Sequence, residues 1–335
     1  MKLPPKLKKA LQLILSLGVA LWIFWFLYKD IELDSFLAQI KSSKWHWILG
    51  SLAVSLIGFW IRGWRWTLLI SKDEGKAVTA SRAYHAVMVG YLVNLLVPRA
   101  GEVARCGVLQ RTNKVPMGHL IGTVILERTI DFVFLLATIF LAFSVENQLF
   151  IELAGEFIDL DNLREKAFSN LPVVFGGFVV FVLTLYWIGR RFRDHGLVQK
   201  IQHFFREVLG GVKQIKNLQN PLGFWLSSIV IWVIYFMTMY MVSMAIQSTA
   251  ILSMGEVLLV MVMGSIGMIA PVQGGIGTFH ALVALILIQF GIAEADGKIF
   301  AAIIHGSQMI LMVLAGLLSW FWMLRLPVES QPEQA

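Results

Sequence analysis

The sequence predicts an all-α, polytopic membrane protein, with about six full transmembrane helices and two shorter, interrupted apolar segments in one domain over residues 1–335. Three observations carry this. The chain is 57% hydrophobic and only 15% charged, with a mean hydropathy of +0.72, whereas a soluble domain is about 25% charged. Its apolar runs reach the ~20 residues that a helix needs to cross a hydrocarbon core. Lys and Arg gather in short loops between those runs, as in cytoplasmic loops that face anionic lipid.

The full-length runs are Leu11–Tyr28, Trp47–Ile70, Gly118–Phe143, Leu171–Gly189, Leu222–Ile246 and Ile299–Leu324. The shorter ones are Ala83–Val97, and Gly255–Gln289, which is broken at PVQGG. Trp45, Trp47, Trp64, Trp66, Trp187, Trp225, Trp320 and Trp322 lie near run ends, where an interfacial belt places them. Lys2, Lys6, Lys8 and Lys9 precede the first run. That run is long for a signal peptide and lacks a small-residue cleavage site, so it reads as an uncleaved helix starting in the cytoplasm. The basic loop over about 190–221 is also expected in the cytoplasm. Its core HGLVQKIQHFFREVLGGV suits an amphipathic helix on the membrane surface. The acidic segment ENQLFIELAGEFIDLDNLREK is expected outside. Both termini then face the cytoplasm, and a bacterial inner membrane is the expected location.

These assignments must alternate. The first run leaves the cytoplasm, the second returns, and Gly118–Phe143 must leave again. The stretch 83–114 must therefore start and finish in the cytoplasm, as a re-entrant hairpin. By the same count 255–292 starts and finishes outside. One turns at Pro98-Arg-Ala-Gly101, the other at Pro271-Val-Gln-Gly274. This weak internal similarity with inverted topology is the pattern that marks central sites in secondary transporters.

Proline ends a helix by removing an N–H and clashing with the preceding turn, and glycine supplies the angles of a tight reversal. Pro98 and Gly101 break the first hairpin; Pro271, Gly274, Gly275 and Gly277 break the second. Bare backbone at bilayer depth is tolerated only against protein or a wet cavity. From Ala83 to Val97 a helix reaches roughly 22 Å, past the middle of a ~30 Å core. The half-helix after Pro98 would offer free N–H groups to an anion, and Glu102 would cap it. The plainer alternative makes VPRAGE a cytoplasmic loop between two ordinary spans.

The run Gly118–Phe143 contains ILERTIDFVFLL, placing Glu127, Arg128 and Asp131 near mid-bilayer. Charges there cost roughly 2.5–3.5 kcal/mol each and face a bundle interior. Arg128 and Asp131 share a helix face. They serve either as an ion pair fastening this span to a hairpin, with Arg99 or Arg105 meeting Glu127, or as contacts to a headgroup or coupling ion. Arg62 and Arg65, late in the second run, are expected to snorkel to the cytoplasmic interface. Asn94 either caps or coordinates. His280 follows the second break, and His305 and Gln308 lie in the last span; a lone histidine there is more often a hydrogen-bonded packing residue than a ligand. Gly264 and Gly267 permit close helix approach.

Much chemistry is missing. The single cysteine, Cys106, rules out an intramolecular disulfide and a multi-cysteine metal site. There is no HExxH, Walker A or GxSxG motif. No metal or cofactor is expected. The net charge of +7 lies in loops rather than in a basic domain, so nucleic acid is not an expected partner.

GYLVNLLVPRAGEVAR, ILERTIDFVFLL and APVQGGIGTFHAL, in that order, resemble the transmembrane-region family of lysylphosphatidylglycerol synthases, which are flippase-like proteins. The resemblance covers nearly the whole chain. It carries over to Pro98, Gly101, Glu102, Arg105, Glu127, Arg128, Asp131, Pro271, Gly274, Gly275 and Gly277. Three departures stand out. The family tends to have a small residue where this chain has Arg99; Gln273 replaces a second proline; and His280 replaces an acid. The synthases also carry a cytosolic aminoacyl-transferase domain, which does not follow Ala335 here, so aminoacyl-lipid synthesis is not expected.

The resemblance implies translocation of a polar or anionic lipid, whether phospholipid, glycolipid or polyprenyl-linked, between leaflets. The candidate translocation residues are Asn94, Arg99, Glu102, Arg105, Glu127, Arg128, Asp131, Gln273 and His280. The expected partners are that lipid, anionic lipid at the cytoplasmic basic loops, and a lipid-modifying enzyme. Two other classes stay open. One is an intramembrane enzyme with Glu127 or His280 as general base. The other is a non-catalytic partner of an envelope-biosynthetic enzyme.

Overall fold

A computed structural model of the chain describes residues 18, 22–70, 78–97, 99–146, 210, 215–270 and 272–326. Pro98, Pro271, the run Leu171–Gly189, the acidic segment beyond Glu146 and most of the basic loop lie outside the described residues. The chain divides into two compact units, Met1–Ile139 with Leu218–Ala335, and Phe140–Asn217. Nearly all described residues belong to the first.

Among the described residues every regular element is helical. They are α1 (Leu33–Ser42), α2 (Trp45–Leu69), α3 (Ala80–Leu96), α4 (Gly101–Asn113), α5 (Met117–Val145), α6 (Pro221–Ala245), α7 (Met254–Gly267), α8 (Thr278–Gln289) and α9 (Glu294–Arg325), with a 3₁₀ turn at Gln273–Gly275. Of these, α2, α6 and α9 are long and apolar enough to cross a membrane, and α7 and α8 are shorter apolar helices. The 29 residues of α5 extend about 44 Å at ~1.5 Å per residue. Outside the predicted runs, α1 buries no residue.

Local chemistry sets several helix starts. Pro221 opens α6 behind Asn220, whose Oδ1 accepts from Gly223 N at 2.8 Å. Ser253 and Glu256 form a reciprocal capping box on α7, satisfying two otherwise orphaned donors. Thr79 accepts from Arg82 N at the start of α3.

Helices α2 and α6 pack antiparallel. Lys44 N donates to the Ala245 carbonyl at 2.8 Å, Gly58 faces Ile234, and Arg65 reaches Ser228 at the far end. Ser51, Ser55 and Gly58 are buried on α2, as close contact between apolar helices requires.

Helices α3 and α4 form a folded-back hairpin. A Cβ on Gly101 would collide with the Gly90 carbonyl, and one on Gly90 would lie 2.8 Å from the Gly101 carbonyl. The open ends of this hairpin sit in one apolar cluster: Ala83 from α3, Leu109 from α4, Trp66 and Ile70 at the end of α2, Leu120 on α5 and Met323 near the end of α9. The hairpin thus starts and finishes at one end of the bundle.

Helices α7 and α8 form a second hairpin. Gly264 and Gly267 lie against Phe279, and Thr278 Oγ1 donates to the Gly267 carbonyl at 2.7 Å. Its turn uses Gly274, Gly275 and Gly277 at φ 56°, 73° and 87°, values that favour glycine. Helix α9 then runs antiparallel to both α8 and α3. Gly297 abuts Ala284 and Leu287, Gly316 abuts Met88 and Leu92, and His85 Nδ1 is 2.9 Å from Ser319 Oγ.

Candidate functional site

The two hairpin turns meet. Gly274 lies against Leu95 at the end of α3, and Arg99 donates to the Ile269 carbonyl at 3.4 Å. Arg99 itself has φ 62°, a left-handed conformation that costs an L-residue roughly 1–2 kcal/mol. Glycine would adopt this backbone without that cost. Asn94 resolves as a cap, since its Oδ1 accepts from Gly101 N at 2.7 Å and ties the turn to the start of α4.

Beside this hairpin α5 presents its charges to α2 and α4. Glu127, with no exposed side-chain surface, receives Arg62 Nη2 at 2.9 Å and Arg65 Nη2 at 3.3 Å on Oε1, and Arg105 Nη2 at 2.9 Å on Oε2. Asp131 receives Arg62 at 2.8 Å and Arg65 at 2.7 Å. The second Nη groups donate to Tyr235 Oη at 2.6 Å and Ser228 Oγ at 3.0 Å. Arg65 lies over Phe224, and Arg105 lies 4.5 Å over Trp66, adding cation–π attraction.

The expectation that Arg62 and Arg65 snorkel outward is therefore wrong. Both are buried. The residue run suggested a route to water, but two carboxylates on a helix distant in sequence offered partners. A buried charge is tolerated when paired and hydrogen-bonded. Arg105 meets Glu127 as expected, whereas Arg99 is exposed and goes instead to the second hairpin.

Arg128 differs from its neighbours. Its side chain is 44% exposed and stands 3.8 Å from both Glu102, itself 29% exposed, and Asp131. Three buried arginines face two carboxylates; with Arg128 and Glu102, four cations face three anions. Among the described residues of this cluster one positive charge is in excess. Among the described residues, buried Glu102 Oε2 and the Nε groups of Arg62, Arg65 and Arg105 make no hydrogen bond.

Gln273 and His280 stand apart from this cluster. Gln273 is buried in the second turn. His280 Nδ1 accepts from Gly277 N at 3.2 Å, its ring packs 4.9 Å from His305, and Phe24 and Tyr28 meet it edge-on. No contact among the described residues links it to the arginines. Also among those residues, no group of three or more His, Cys, Asp or Glu is placed to hold a metal.

The lysylphosphatidylglycerol synthase transmembrane region, as a family, matches residues 13–316. The chain belongs to this family. No curated relative and no solved structure matches it. As a member of the lysylphosphatidylglycerol synthase transmembrane-region family, with apolar helices of spanning length, it is an integral membrane protein of a lipid-related process. Sequence reasoning found Arg105, Glu127 and Asp131 but placed Arg62 and Arg65 outside the site. The available signal was their spacing in IRGWRW: two cations three apart share a helix face, with a matched pair of acids four apart on α5.

Proposed function

We propose that this protein translocates a polar or anionic lipid between leaflets, without catalysing a covalent change in it. The carrying observation is the meeting of two folded-back hairpins beside a buried arginine–carboxylate cluster with one cation in excess. Set in a bilayer, the first hairpin would enter and leave by the cytoplasmic face and the second by the outer face. Their turns would then meet at depth, where irregular backbone is tolerated only around protein or water.

The roles divide by exposure. Glu127 and Asp131 fasten α2, α4 and α5 together. Arg128 and Glu102, both partly open, face the lipid headgroup, while the tails stay in hydrocarbon. Arg99 and Asn94 hold the turn. The excess cation offsets part of the cost of moving a phosphate across hydrocarbon, which is the barrier to unassisted exchange. Gln273 and His280 belong to the second turn and shape it. Anionic lipid at the cytoplasmic basic loops, and a lipid-modifying enzyme that supplies or uses the cargo, are the partners this reading calls for.

The test is leaflet exchange in liposomes. Purified protein is reconstituted with fluorescent anionic and glycosylated lipids, and the outer leaflet is quenched chemically. Wild type should expose additional lipid to the quencher, and Arg128→Ala should abolish that excess. Normal exchange by folded Arg128→Ala would remove Arg128 from the site. No exchange of any lipid, with a pH gradient supplied, would shift the reading to an enzyme or a scaffold.

A further inference from the structure

At the open end of the first hairpin, α3, α4 and α9 line a half-open apolar cavity of about 90 Å³. Val89, Val108, Trp320, Met323 and Leu324 supply its walls. Thr112 also lines it, but its hydroxyl already donates to the Val108 carbonyl at 3.0 Å and lies 2.9 Å from Asn113 Oδ1. Arg111 is the remaining polar lining group.

Arg111 also lines an adjoining recess of about 400 Å³, with Gln110, Lys114 and Pro116. Both Arg111 and Lys114 are exposed, and neither makes an ion pair among the described residues. Among the described residues, no acidic one lines either space. One arginine therefore stands at the junction of an apolar cavity and a cationic recess. The carbonyl end of α4 contributes about half a negative charge there, which two full cations outweigh.

We infer that this junction holds one anionic phospholipid, its phosphate on Arg111 and Lys114 and part of one acyl chain in the cavity between α3, α4 and α9. A soluble anion would use the recess alone and leave the cavity unfilled; a zwitterionic phospholipid would bring its own cation beside Arg111 and Lys114 and offset less of their charge. An amphiphile with a phosphate directly beside its chains uses both. The site is separate from the Glu127 cluster and would stabilise the base of the hairpin. It rests on the orientation given under the proposed function, which puts this end of the bundle in the anionic cytoplasmic leaflet, but its lipid binding is measured without transport.

Native mass spectrometry of the full chain in detergent tests it. The protein is titrated with phosphatidylglycerol and with phosphatidylcholine of the same chains. Wild type should retain phosphatidylglycerol preferentially. Arg111→Gln with Lys114→Gln, both on exposed positions, should weaken phosphatidylglycerol binding by roughly fivefold per cation removed and phosphatidylcholine, whose choline offsets its phosphate, by clearly less. Val108→Phe should fill the cavity and weaken both lipids. Unchanged phosphatidylglycerol binding in the double variant, or equal weakening of both lipids by it, would overturn the assignment. So would full retention of both lipids by folded Val108→Phe.

Discussion

At the scale of single residues, Glu127 and Arg128 are neighbours in sequence with opposite duties. Glu127 is ion-paired with three arginines and has no solvent contact. Removing its charge leaves buried cations uncompensated, a change that costs about 3–5 kcal/mol in comparable sites. Arg128 reaches the surface, and its pairs at 3.8 Å are loose, so its loss should cost no more than about 1 kcal/mol. Thermal unfolding in detergent should therefore show Glu127→Gln strongly destabilised and Arg128→Ala close to wild type. The reverse order would mean that the cluster is divided wrongly. This is why Arg128→Ala, not Glu127→Gln, is the informative variant for transport.

At the scale of elements, the first hairpin depends on two glycines at one crossing. Gly90 and Gly101 face each other's carbonyls, and Gly101 also lies against Asn94. Any side chain there must push α3 and α4 apart and break the cap from Asn94 to Gly101 N. Gly101→Ala should lower the unfolding temperature and impair lipid exchange. Gly122→Ala on α5, where no atom stands within 4 Å of the added Cβ, should be neutral or stabilising, because Ala favours the helix by roughly 1 kcal/mol. Equal effects of the two substitutions would argue against close packing as the reason for Gly101. Sequence reasoning expected re-entrant hairpins from a Pro–Gly break after an apolar run, and the structure shows folded-back helix pairs at both places. It did not reveal that their turns touch, since nothing local links Leu95 to Gly274 or Arg99 to Ile269.

At the scale of the whole molecule, the hairpins approach from opposite ends of the bundle. The first opens in the cluster of Trp66, Ile70, Leu120 and Met323. The second follows α6, whose end is pinned to the start of α2 by Lys44 and Ala245. Membrane-sidedness follows as a prediction. On a background with buried Cys106 replaced by serine, Gln110→Cys should react with a membrane-impermeant maleimide only from the cytoplasmic side. Ile251→Cys, at a position 77% exposed, should react only from outside. Labelling of both from one side would refute the re-entrant arrangement, and with it the translocation path.

The sequence by itself determined that the chain is an apolar helical membrane protein, where its helices break, and that α5 carries charges needing partners. Those features follow from composition, from runs of one residue class and from the fixed chemistry of Pro and Gly, all of which are local. Only the tertiary structure decided the partners. Whether Arg62 and Arg65 reach water or a carboxylate depends on which helix packs beside α2, and α5 lies more than fifty residues further on. The energetic balance is also tertiary, because a buried arginine is costly alone and tolerable only when a packed neighbour supplies an aligned carboxylate.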